Sequence, residues 1–87
     1  MFLHGNLANT LIDKNHSNFS LDGMVNPSFQ NEGTASVNIN GRELKPGQSF
    51  SAFAPIVLRN SIPITFEADT TKTRILYLGY ITLVEQP

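Results

Sequence analysis

The chain has no cysteine among its 87 residues, so neither a disulfide framework nor a thiolate metal site can supplement its core. It has no block of like charge either: six Lys plus Arg stand against seven Asp plus Glu, a formal charge of -1. Binding driven by phosphate neutralisation needs a basic patch, so nucleic acid is not an expected partner. Nothing approaches the roughly 18 consecutive apolar residues of a membrane helix, and the apolar run near the C-terminus is interrupted by Gly79 and Thr82. The first residues, Met1 to Asn6, lack the basic region and apolar stretch of a signal peptide. The sequence therefore reads as a soluble chain that is not exported by the Sec route and has no membrane partner. A chain this short forms one domain at most and buries a small share of its surface. Oligomerisation is the remaining common remedy for so marginal a core.

What the chain does have is nine asparagines, seven serines and seven threonines. These side chains hydrogen-bond locally to the backbone and disfavour helix interiors, so helix should be a minority and turns many. Residues 1–33 carry six of the asparagines and eleven large apolar side chains, among them Phe2, Leu3, Phe19, Leu21, Met24, Val25 and Phe29. Only Leu7, Leu11 and Ile12 approximate a helical spacing, which predicts at most a short helix at about residues 6–13. The segment is too apolar for a disordered tail, yet it cannot order itself alone. It reads as a mostly irregular N-terminal arm lying across the rest of the domain, across a neighbour, or both.

From Thr34 onward the pattern is β. Val37 and Ile39 alternate with polar residues, and Asn40-Gly41 is a strong hairpin signal between strands at about 35–39 and 42–45. Lys45-Pro46-Gly47-Gln48 reads as a second turn, with a strand starting near Ser49. Pro55 implies an edge, a bulge or a break before Ile56-Val57-Leu58, and Arg59-Asn60-Ser61 reads as a turn. Ile62, Ile64 and Phe66 share one face of a half-buried strand at 62–68, which should form a hairpin with a long final strand at 74–84. The predicted fold is all-β: a small antiparallel β-sandwich or open barrel of five to six strands over residues 34–87, preceded by the arm.

The final strand is apolar on both faces. Ile75, Tyr77, Ile81 and Leu83 fall on one side; Leu76, Leu78, Tyr80 and Val84 fall on the other. A strand in a small one-core protein should have one wet face, so part of this one is expected to be covered by another copy or another protein.

Chemistry-bearing constellations are sparse. His4 and His16, with Asp13 and Asp22 nearby, match no metal-ligand spacing and read as solvated surface groups. Of the carboxylates only Glu67 and Asp69 lie close together, at a polar turn where they keep the loop wet. No serine sits in a nucleophile-elbow context, so no catalytic, cofactor-binding or metal-binding residue is assigned and an enzyme is not expected. Asn15-His16-Ser17 and Asn18-Phe19-Ser20 match the glycosylation acceptor pattern, but chance matches are expected in so Asn- and Ser-rich a chain. Phe50, Phe53, Phe66, Tyr77 and Tyr80 could form a stacking platform for sugars or bases. Alternate spacing in strands is equally what a core requires, and Tyr77 and Tyr80 fall on opposite faces.

The segment from Gly33 to Phe50, with the Asn40-Gly41 turn, the step Leu44-Lys45-Pro46-Gly47-Gln48-Ser49 and the later Ile64-Thr65-Phe66, resembles small β-sandwich structural proteins of bacteriophages. The resemblance covers roughly residues 33–84; the N-terminal segment matches no motif. It implies a non-enzymatic virion component, whether minor capsid, vertex, decoration or tail-associated, present in many copies. The expectation is a homo-oligomer, a trimer or pentamer, that also contacts other virion proteins. Its interface would be built from Leu76, Leu78, Tyr80 and Val84 of the last strand and Phe2, Leu3, Leu7 and Leu11 of the arm. The alternative is a stand-alone carbohydrate- or ligand-binding β-sandwich module.

Overall fold

The alternating segments described above are each only three to eight residues long, so every one must find its hydrogen-bond partners far away in the sequence. The computed structural model describes residues 4–53 and 56–84 and resolves how they do so. Its strands are β1 (Gly5–Ile12), β2 (His16–Ser20), β3 (Met24–Asn31), β4 (Val37–Ile39), β5 (Arg42–Leu44), β6 (Ser49–Ser51), β7 (Ser61–Phe66) and β8 (Leu76–Leu83). One sheet has the order β1-β8-β3-β6 and the other β2-β7-β4-β5, with every neighbouring pair antiparallel. In four of the six pairings the strand numbers sum to nine. The chain is thus one long antiparallel hairpin, folded at the β4–β5 turn. The further pairings β3–β8 and β4–β7 wrap that hairpin into two layers, the strand order of a jelly roll.

The core lies between the layers. The first sheet contributes Ile12, Phe29, Leu76 and Leu78; the second contributes Val37, Ile39, Leu44, Ile62, Ile64 and Phe66. The alternation of Ile62, Ile64 and Phe66 with Ser61, Pro63 and Thr65 is the half-buried strand that the sequence predicted. Phe19 and His16 of β2 pair with Ile62 and Ile64, and the His16 ring meets Phe19 edge-on at 5.3 Å. The turn chemistry is also as predicted. Asn40 and Gly41 take φ of 51° and 87° between β4 and β5, and Gly47 takes 84° in the turn before β6.

Three expectations are corrected. There are eight strands, not five to six, because residues 5–31 supply three of them. The expected irregular arm is therefore built into both sheets, with β3 paired on both sides in the first sheet, and the short helix expected near residues 6–13 is strand β1. The helical spacing of Leu7 and Leu11 is overridden by the long β8 alongside, which supplies hydrogen bonds a lone turn of helix cannot match. Finally, β7 and β8 form no hairpin: they lie in different sheets, because the chain crosses from one layer to the other between them. Ile56-Val57-Leu58 is likewise irregular, with Leu58 bonded to Met24.

Asn31, at the end of β3, is fully buried in this apolar setting. Its Nδ2 donates to the Ala35 carbonyl at 2.9 Å and to the Leu44 carbonyl at 3.0 Å, and its Oδ1 accepts from the Gly33 N–H at 3.0 Å. Its own backbone bonds Gln48 and Gly47 in the turn before β6. One side chain thus joins the crossover between sheets to strands of both. The crossover passes so close to the segment leading into β8 that a Cβ on Gly33 would lie 2.7 Å from the Ile75 nitrogen and closer still to the Thr73 carbonyl. Only glycine fits there. Replacing Asn31 by Leu strands these three backbone groups. It should cost about 3 kcal/mol, read as a melting temperature lowered by about 15 °C. Asn31→Asp should be worse still at neutral pH and partly recover in acid. Burial against carbonyl oxygens raises the folded-state value of the carboxyl, so the variant's stability is lost as pH rises.

Candidate interaction surface

Strand β8 sits between β1 and β3, so both edges are satisfied and its side chains alone decide what each face does. Leu76 and Leu78 point inward and are fully buried; Tyr80, on the same face, packs against the core at its margin. The opposite face, outside the sandwich, carries Tyr77, Gly79, Ile81 and Leu83. Cross-strand partners share a face, and the register places Leu11 beside Tyr77, Asn9 beside Gly79, and Leu7 beside Ile81. The fractional exposures are 78% for Leu7, 53% for Leu11, 48% for Tyr77 and 43% for Leu83.

Two glycines shape this surface. Gly5 leaves room for the Ile81 side chain, whose Cγ2 would lie 2.8 Å from an added Cβ, and Gly79 lies under the Asn9 side chain. On β3, Ser28 and Gln30 extend the same face, and Ser28 shares a hydrogen bond with Ser51 of β6. The face is therefore mostly apolar over β1 and β8, with Asn9 and Gly79 between the two leucine pairs, and polar where Ser28 and Gln30 of β3 meet β6. The β6–β7 connection, bonded to β3 at Met24 and Pro27, adds exposed Phe53, Ile56 and Val57 toward the end where Ile81 and Leu83 lie.

The predicted interface residues divide sharply. Leu7 and Leu11 are on the exposed face. Leu76 and Leu78 are not: they are core residues of the single chain, and Tyr80 is largely drawn into the same layer, which corrects their assignment to an interface. Val84 is exposed just beyond β8, its N–H bonded to the His4 carbonyl. Phe2 and Leu3 lie outside the described residues. Tyr77, Ile81 and Leu83, which the sequence placed on the strand's other apolar face and not in the predicted interface, complete the surface. The alternation of β8 identified both faces, but both are apolar, so nothing in the strand itself says which is inside. Strand β1 misleads further, with small Ala8 and Thr10 facing inward and large Leu7 and Leu11 outward.

Among the described residues no three His, Asp or Glu side chains come together to hold a metal ion. No described helix is long and apolar enough to cross a membrane. A cleft of about 240 Å³ opens between the layers, lined by Leu21, Phe29, Phe50, Leu58 and Ile62, with the Arg42 guanidinium 4.5 Å over the Phe50 ring. Comparisons of the chain with protein-family models, with curated proteins and with solved structures found no match.

Glu67 and Asp69 lie in the connection between β7 and β8, and their environment accounts for both. The Ser36 N–H, donating at 2.8 Å, and the Lys72 ammonium at 3.1 Å hold the Glu67 carboxyl below its ordinary value. The Thr71 hydroxyl at 2.6 Å and N–H at 2.9 Å do the same for Asp69. Depressed carboxyls stabilise the fold above their unfolded-state values, and that contribution is lost as pH falls through the folded-state ones. The unfolding midpoint should therefore hold near neutrality and drop in the acid range below 4.5, the ordinary glutamate value. Glu67→Gln, followed by thermal denaturation across pH, should flatten part of that drop.

Proposed function

We propose that this chain is a non-enzymatic structural protein of a bacteriophage virion: a minor capsid, vertex, decoration or tail-associated component. It assembles with further copies and with neighbouring virion proteins through the outer face of β1 and β8. The observation that carries the reading is the set of exposed Leu7, Leu11, Tyr77 and Leu83, with half-buried Ile81 among them, on the outer face of a sheet whose other face already holds the core. Large apolar side chains gathered on one rigid sheet favour association over solvent exposure. The jelly-roll strand order, which recurs in viral capsid domains, supports the same reading together with the resemblance across residues 33–84.

A second reading is favoured by the cleft beside Arg42 and Phe50: a ligand-binding sandwich, since lectin domains also use this strand order. It predicts a monomer whose saturable binding is lost in Phe50→Ala.

Light scattering over a range of concentrations separates the two. The virion reading expects a mass that is a multiple of the 9.6 kDa chain. In the double variant Tyr77→Lys/Leu83→Lys the mass should fall at least one step, with the melting temperature little changed, because neither side chain is in the core. The same variant should fail to co-purify with assembled particles. An unchanged mass and normal incorporation would discard the outer face as the assembly surface.

A further inference from the structure

Both sheets have two edges, and three of the four are blunted. β5 and β6 are three residues long, and β5 carries Arg42 and Glu43 and runs into Lys45-Pro46. β2 is interrupted by a register shift between His16 and Phe19. Short length, charge and bulges are the means by which edge strands avoid pairing with other chains. β1 has none of them. It is eight residues long, pairs with β8 without a shift, and contains neither charge nor proline.

Which backbone groups it offers follows from the ladder. The Val84 N–H donates to the His4 carbonyl, which fixes the phase of the antiparallel pairing. In that phase Asn6, Ala8, Thr10 and Ile12 direct their N–H and C=O groups toward β8. Gly5, Leu7, Asn9 and Leu11 direct theirs to the open edge. Among the described residues no backbone hydrogen bond reaches these four from that side. Leu7, Asn9 and Leu11 of this set carry their side chains on the exposed outer face.

We propose that the β1 edge pairs antiparallel with β1 of a second copy about a two-fold axis, with Asn9 on the axis and Leu7 opposite the partner's Leu11. The two sheets then become one of eight strands. Self-pairing is supported by charge. The paired segment is uncharged, and the antiparallel sense sends Asp13 and Lys14 of the two copies to opposite ends, whereas a parallel pairing would set Asp13 on Asp13 and Lys14 on Lys14. Register follows from parity. Only edge-facing residues can pair with edge-facing residues, and with Asn9 central each exposed leucine meets a leucine. This inference deepens the assembly reading and rests on it for its biological meaning, but it uses the backbone edge and not the apolar face.

The chain has no cysteine of its own, so the contact can be trapped by one substitution. Asn9→Cys under mild oxidation should give a disulfide-linked dimer, because directly opposed strand residues are about 5.5 Å apart between Cα atoms. Asn38→Cys, exposed on the other sheet, should remain mostly monomeric. Asn9→Pro removes an edge-facing N–H without touching the β8 ladder, and should lower the mass seen by light scattering at least two-fold while the protein stays folded. Crosslinking of Asn9→Cys no greater than that of Asn38→Cys, or an unchanged mass for Asn9→Pro, would overturn the edge contact. Crosslinking that persists in the Tyr77→Lys/Leu83→Lys background supports the edge even if the face takes no part. Loss of mass in that face variant, with Asn9→Cys uncrosslinked in the wild-type background, overturns the edge and leaves the face reading standing.

Discussion

The fold depends on satisfying backbone groups where the chain crosses between its two layers, and Asn31 does most of this. A small sandwich has little room for polar backbone inside, yet residues 32–36 must pass the core to carry the chain from β3 to β4. The Asn31 amide uses both donor hydrogens and its oxygen there, and no buried side-chain nitrogen or oxygen among the described residues is left without a partner. A buried amide in an otherwise apolar core specifies one arrangement, because every alternative packing would strand it. Around it, Gly33 brings the crossover against Thr73 and Ile75, which in turn delivers β8 to its place between β1 and β3.

That central place makes β8 apolar on both sides. With β1 on one edge and β3 on the other, it is the spine of its sheet, and its inner face is spent on the core. Its outer face is left with Tyr77, Ile81 and Leu83, joined by Leu7 and Leu11 from a strand whose small residues face inward. The apolar surface is thus a property of the β1–β8 pair and belongs to neither strand alone.

Much of this was legible in the sequence, and what was not has a physical cause. The turns at Asn40-Gly41 and Gly47 announce themselves because positive φ restricts which residues can occupy them, and the alternation of Ile62, Ile64 and Phe66 is an unambiguous period of two. Residues 1–33 were opaque because their strands are stabilised almost wholly by pairing with distant segments: β1 with β8, β2 with β7, β3 with β6 and β8. Local spacing carries no trace of such partners, so Leu7, Leu11 and Ile12 mimic a helix. At the candidate surface the two-sided strand was visible but its orientation was not, so the interface was assigned to the face of Leu76 and Leu78 instead of the face of Tyr77, Ile81 and Leu83.

The pairing of strands whose numbers sum to nine also ranks the pairings by the length of chain each must close. Only β4 and β5 are neighbours in the chain. Each pairing outward from them closes a larger loop, ending with Gly5 against Leu83 across almost the whole sequence. Loop closure grows costlier with separation, so from an open chain the β4–β5 pairing is the cheapest to close and β1–β8 the costliest. During synthesis β1 emerges before the other seven strands and its partner β8 after them, so among these strands β1 waits longest for its partner. Among the described strands, the uncharged one at the open edge is therefore also the one made longest before its partner.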